Sequence, residues 1–94
     1  MNVYLITYDL NSPGQKYNCI KEKIENNFNW WKCLNNIFII ESSNSTAEIR
    51  DYLSSCIDSN DKLLVIKLAQ GSSRSWATFG LSTECTDWLK KALS

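Results

Sequence analysis

Residues 3–8 form an almost unbroken apolar and aromatic run, closed by Asp9. A run without polar alternation predicts a strand covered on both faces. Ser12-Pro13-Gly14-Gln15 follows and reads as a helix start. Ser12 caps, Pro13 suits the first helical position, and Gln15 completes a reciprocal capping pattern. Tyr17, Ile20, Ile24 and Phe28 then recur at helical spacing, and the cluster of Asn26, Asn27 and Asn29 ends the helix. The stretch "NWWKCLNNIFIIES" predicts a hairpin of residues 30–34 and 37–41. Asn35 and Asn36 are residue types that accept the positive φ of a tight turn. Ser45-Thr46-Ala47-Glu48 is a capping box that opens a second helix, with Ile49, Tyr52, Leu53, Cys56 and Ile57 as its apolar stripe. Residues 58–61 form a polar turn, and residues 62–68 are again a strand.

The order β-α-β-β-α-β predicts a ferredoxin-like α+β sandwich in which the first and third strands are central. Those are the two most uniformly apolar runs. Beyond them, residues 70–74 read as loop, "SWATFG" as a short fifth strand, and Ser82 or its neighbour as the cap of a last helix. Glu84 and Asp87 lie early in that helix and Lys90 and Lys91 late, as the helix dipole favours. Leu81, Cys85, Trp88, Leu89 and Ala92 make its apolar side. The organisation expected is a single domain over 1–94, with a core of 1–69 and an extension of 70–94. Two helices cover one sheet face. The other face needs the C-terminal extension or a second copy of the chain, and a homodimer is the expectation.

Composition narrows the chemistry. Ninety-four residues make a thin core. A hydrophobic fraction of 44% with 21% charged residues excludes extended disorder. The net charge is zero, which argues against avid nonspecific binding to nucleic acid, since phosphate neutralisation supplies much of that affinity. The absence of His removes the usual imidazole base and makes a zinc site improbable. Cys19, Cys33, Cys56 and Cys85 have no CxxC spacing, and no membrane span or signal peptide stands out. A cytoplasmic protein is expected, with each cysteine a small buried hydrophobe rather than half of a disulfide.

Asp9 is the first candidate for chemistry, at the end of a central strand and just before a helix. The ordinary role there is to accept turn or helix N–H groups. The alternative is a metal ligand. One carboxylate makes a poor Mg²⁺ site, so that role requires a two-fold axis that pairs Asp9 with its copy. Trp30 and Trp31 are adjacent on a strand and face opposite ways, so one is core and the other exposed or interfacial. Core plus dimer interface is the ordinary reading, and base stacking, for which Trp31 is the candidate, is the alternative. Lys16, Lys21, Lys23 and Lys32 gather around the first helix, interleaved with Glu22 and Glu25 as on a solvated face. Lys16 and Arg74 are the candidate phosphate contacts.

The stretch "VYLITYDL" resembles the first strand of the small dimeric integrase adaptor of CRISPR adaptation. "LNNIFIIES" and "DKLLVIKL" are similar to that family's third and fourth strands. The likeness runs through the core of 1–69. A closer resemblance is to the SinR-like small bacterial proteins, at "YDLNSPGQ", "WWKCL", "SNDKLLVIKL" and the tail "WATFGLSTECTDWL". The resemblance implies the ferredoxin-like fold and one of two activities. One is a metal-dependent nuclease for RNA or DNA, with Asp9 at Mg²⁺ or Mn²⁺. The other is a dimeric adaptor that binds duplex DNA and docks a protein through its C-terminal segment. The chain differs from the adaptor in its neutral charge, in Asn36 at the serine of the third-strand motif, and in its tail. A non-catalytic dimeric scaffold is the alternative function.

Overall fold

The computed structural model describes residues 1–11, 15–71 and 76–94, and the side chains of Gln15 and Lys16 fall outside that description. The elements are β1 (Asn2–Asp9), α1 (Gln15–Asn27), β2 (Asn29–Leu34), β3 (Ile37–Ser42), α2 (Thr46–Leu53), a 3₁₀ turn (Ser54–Cys56), β4 (Lys62–Leu68) and α3 (Thr83–Ala92). They form a small α+β domain. Four antiparallel strands lie in the order β2-β3-β1-β4. The central pair, β1 and β3, carries most of the buried strand residues, as their continuous apolar runs require. The expected Ser12 cap lies outside the described residues.

Alternation along β1 builds two cores. Tyr4, Ile6, Tyr8 and Leu10 point to one face, where they pack with Ile20 and Ile24 of α1, Phe38 and Ile40 of β3, and Ile49 and Leu53 of α2. Val3 points to the other face and packs with Trp31, Ile39, Leu89, Ala92 and Leu93. The C-terminal helix therefore covers part of the second face within one chain. The capping box of α2 forms as its sequence requires: the Glu48 N–H donates to Ser45 Oγ at 3.1 Å, and the Ser45 N–H donates to Glu48 Oε1 at 2.9 Å. Ser82 caps α3 in the simpler way, accepting from the Cys85 N–H at 3.2 Å.

Three local expectations are corrected. Residues 76–80 form no strand, so the described residues contain no fifth strand; Trp76 instead packs against the α3 core. In the hairpin only Asn36 takes a positive φ, at 58°. Between Trp31 and Leu34 the pairing shifts by one residue, because β2 spends one more residue than β3 there, as in a β-bulge.

The third correction concerns the cysteines. All four are paired, Cys19 with Cys56 and Cys33 with Cys85. Their Cα atoms lie 5.7 and 6.4 Å apart, within the reach of a disulfide. The first bridge ties α1 to the turn after α2. The second ties the edge strand β2 to α3. Each bridge therefore staples one helical layer, and a thin core gains the support that its length withholds.

Candidate functional site

The register places four rows of side chains on the face that α3 shares. Asn29, Glu41, Val3 and Leu68 form one row; Trp31, Ile39, Leu5 and Ile66 the next; Leu34, Ile37, Thr7 and Leu64 the third. Asp9 and Lys62 stand opposite each other at the end. The last turn of α3 covers the side nearest Val3. The third row is left open: Leu34 is 48% exposed and Leu64 50%, and Ile66 beside them is 45% exposed. A groove of about 250 Å³ runs between this surface and the α3 layer, lined by Leu5, Ile37, Trp76 and Leu81 among others, almost all apolar. Phe79, fully exposed, stands in the loop that borders it. Leu34 stands at the β2 edge of this face and the neighbouring pair Leu64 and Ile66 at the β4 edge, and exposed apolar residues beside a core are the kind of surface that marks a contact.

Asp9 is exposed and lies in a separate shallow cleft of about 190 Å³ with Thr7, Lys62 and Leu64. Among the described residues its carboxylate makes no side-chain hydrogen bond or ion pair. The work of closing the strand end falls to Asp61. Its Oδ1 accepts from the Asn11 N–H at 2.8 Å and its Oδ2 from the Asp58 N–H at 2.9 Å. That bracket joins the exit of β1 to the entry of β4 and was not singled out from the sequence. The only cue was a second aspartate beside a polar turn. Tyr8 faces away from Asp9 into the larger core, 5.5 Å from the Tyr17 ring, and burial raises its hydroxyl pKa, with Tyr17 and Glu25 adding to the shift.

The tryptophans divide between the two faces. Trp31 is 4% exposed, so it offers no ring to a base, and its indole N–H donates to the Cys85 carbonyl at 3.0 Å. Its neighbour Trp30 is 39% exposed and meets Phe38 edge-on on the opposite face. The lysines around α1 divide too. Lys23 donates to the Tyr52 carbonyl at 3.0 Å and to Ser55 Oγ at 2.6 Å, and sits over the Tyr52 ring. It satisfies the carbonyl end of α2 rather than a phosphate. Lys21 reaches Glu25 at 4.0 Å along the same helix. The Lys16 side chain and Arg74 lie outside the described residues.

One chain brings a single carboxylate to the cleft, with a lysine opposite it. Among the described residues there is no group of three or more His, Cys, Asp or Glu side chains placed to hold a metal. Mg²⁺ wants several oxygens at once, and Asp9 is the one carboxylate among the described residues that line this cleft. No helix among the described residues is long and apolar enough to cross a membrane. No protein-family model matches the chain, and no curated protein matches it.

Proposed function

We propose that this chain works as a homodimeric interaction module, joined to its copy through the open part of the sheet face that carries Leu64 and Ile66. The observation that carries the reading is the exposure of those two residues, 50% and 45%, on a face whose other part is already core. Apolar rows that are continuous with a core gain about 25 cal/mol per Å² when covered. The ferredoxin-like assignment belongs to the same proposal and rests on the element order β-α-β-β-α-β with β1 and β3 central. In the SinR-like and CRISPR-adaptor reading, the dimer is a platform for nucleic acid or for a protein partner held through the C-terminal segment.

A second reading is favoured by Asp9. Its carboxylate is exposed and unpaired among the described residues, on the same face as the open row. In a nuclease of RNA or DNA, Asp9 of each copy would hold Mg²⁺ or Mn²⁺. Such an ion supplies an activated water for phosphodiester hydrolysis. Lys16 and Arg74 would steady the phosphates. A cytoplasmic site of action belongs with this reading and requires that the two cystines be reduced there, because cystines persist mainly in oxidising compartments.

Light scattering on the wild type and on Leu64→Glu with Ile66→Glu tests the first reading: two chain masses are expected for the wild type and one for the variant. Titration with Mn²⁺ tests the second. Binding that is absent in Asp9→Asn supports it, and equal behaviour of the two proteins removes it.

A further inference from the structure

The two disulfides sit in different physical settings. Cys56 is 5% exposed and packs in the larger core, where it ends the 3₁₀ turn that follows α2. The Lys23 contacts to Tyr52 and Ser55 hold the same junction shut. Cys19, the fifth residue of α1, is half-buried and lines an open cleft with Glu22 and Lys23, so what sets this bridge apart is its buried partner. Cys33 and Cys85 are both half-buried. Cys33 belongs to the bulged part of an edge strand, where backbone pairing is interrupted. Cys85 is the third residue of α3, in the turn where the positive end of the helix dipole favours a thiolate. A thiol at a helix N-terminus leaves more readily, and an accessible sulfur is attacked more readily. Attack on the half-buried Cys19 would have to expel Cys56, whose burial in the larger core disfavours a thiolate.

We propose that Cys33–Cys85 is a thiol-exchange site: a dithiol reductant opens this bridge first, leaves Cys19–Cys56 closed, and so releases the N-terminal end of α3 from the sheet. A thiolate of the reductant attacks Cys33 Sγ. The Cys33–Cys85 bond breaks, its electron pair leaves with Cys85, and a mixed disulfide forms on Cys33. The second thiol of the reductant gives up its proton and attacks the reductant's own sulfur. Cys33 leaves as a thiolate, and the reductant departs as a disulfide. Two electrons pass to the protein, and the two thiolates draw protons from water.

The consequence follows from how α3 is held. At its start, the bridge and the Trp31 hydrogen bond to the Cys85 carbonyl are the ties to β2. At its end, Gln70 Nε2 donates to the Ala92 carbonyl at 3.0 Å and the Gly71 N–H donates to the Leu93 carbonyl at 3.1 Å. Opening the bridge therefore loosens the start and leaves the end attached. The helix becomes a flap over Val3, Trp31 and Ile39.

The test uses the oxidised wild-type chain under native conditions. Dithiothreitol is added in steps, free thiols are trapped with iodoacetamide, and the labelled cysteines are mapped by peptide mass spectrometry. Cys33 and Cys85 are expected to label about tenfold sooner than Cys19 and Cys56. Simultaneous opening, or Cys19–Cys56 opening first, overturns the assignment. Hydrogen exchange on the half-reduced protein reads the flap. Residues 83–88 are expected to lose protection while residues 20–27 keep it, and unchanged protection of α3 overturns the release. Neither readout depends on whether the chain dimerises.

Discussion

Trp31 and Cys85 are joined twice: the indole N–H of Trp31 donates to the Cys85 carbonyl at 3.0 Å, and Cys33, two residues along the same strand, is bonded to the Cys85 sulfur. The pair anchors the start of α3 to the sheet and makes the smaller core possible. Trp31→Phe keeps most of the ring but leaves the Cys85 carbonyl without its donor. The expected cost is about 1–2 kcal/mol, seen as a lower urea midpoint. Trp31→Ala also opens a cavity and is expected to cost about 3–5 kcal/mol.

Removal of the other bridge tests the larger core. The Cys19–Cys56 link spans 37 residues of sequence. Cys19→Ala with Cys56→Ala is expected to destabilise the chain by about 2–4 kcal/mol, measured by urea unfolding against the oxidised wild type. No loss of stability would mean that Lys23 and the packing of Ile20 and Ile24 already hold α1 in place.

These bridges show where the sequence stopped being informative. The element order could be read because each element carries its own local signal. Ser45 and Glu48 announce a helix three residues apart, and the apolar runs of β1 and β3 announce central strands. The cystine pairings have no local signal. They join residues 37 and 52 positions apart, and four cysteines allow three pairings. Only the stacking of layers brings the partners together. The same reason hid Asp61, whose bond to Asn11 spans 50 residues. It also misled the reading of "SWATFG", where a short apolar run packs a loop on α3 instead of pairing as a strand. Alternation separates Trp30 and Trp31 onto two faces, both of which carry helices, but it does not say which of the two rings a helix covers at this edge of the sheet.

Asp61 and Asp9 are expected to respond in opposite ways to substitution. Asp61→Ala leaves the Asn11 and Asp58 N–H groups without their acceptor, at a cost of about 1–3 kcal/mol. Asp9→Asn changes an exposed carboxylate with no partner among the described residues, and stability is expected to move by less than about 0.5 kcal/mol. Thermal unfolding of the two variants side by side checks the contrast. A large loss in Asp9→Asn would return Asp9 to a turn-closing role.

Alkaline stability is expected to depend on Tyr8. Burial, then Tyr17 and Glu25, raises its pKa above the ordinary 10.0. The folded state therefore holds the phenol proton more tightly than the unfolded chain. That contribution is fully present below pH 10 and is lost as the pH climbs through the unfolded and then the folded value. Tyr8→Phe is expected to flatten the decline of stability above pH 10, measured by urea midpoints across that range. An unchanged slope would place the alkaline sensitivity elsewhere.

Leu64 and Ile66 carry the functional account, because they are the exposed apolar residues that the proposed dimer covers. Sedimentation equilibrium of the oxidised wild-type chain at micromolar concentration measures that cover directly. Twice the chain mass of 10.8 kDa is the expected result, falling to a single mass when Leu64 and Ile66 are both replaced by glutamate. A wild-type chain that stays at the single mass across that range would contradict it.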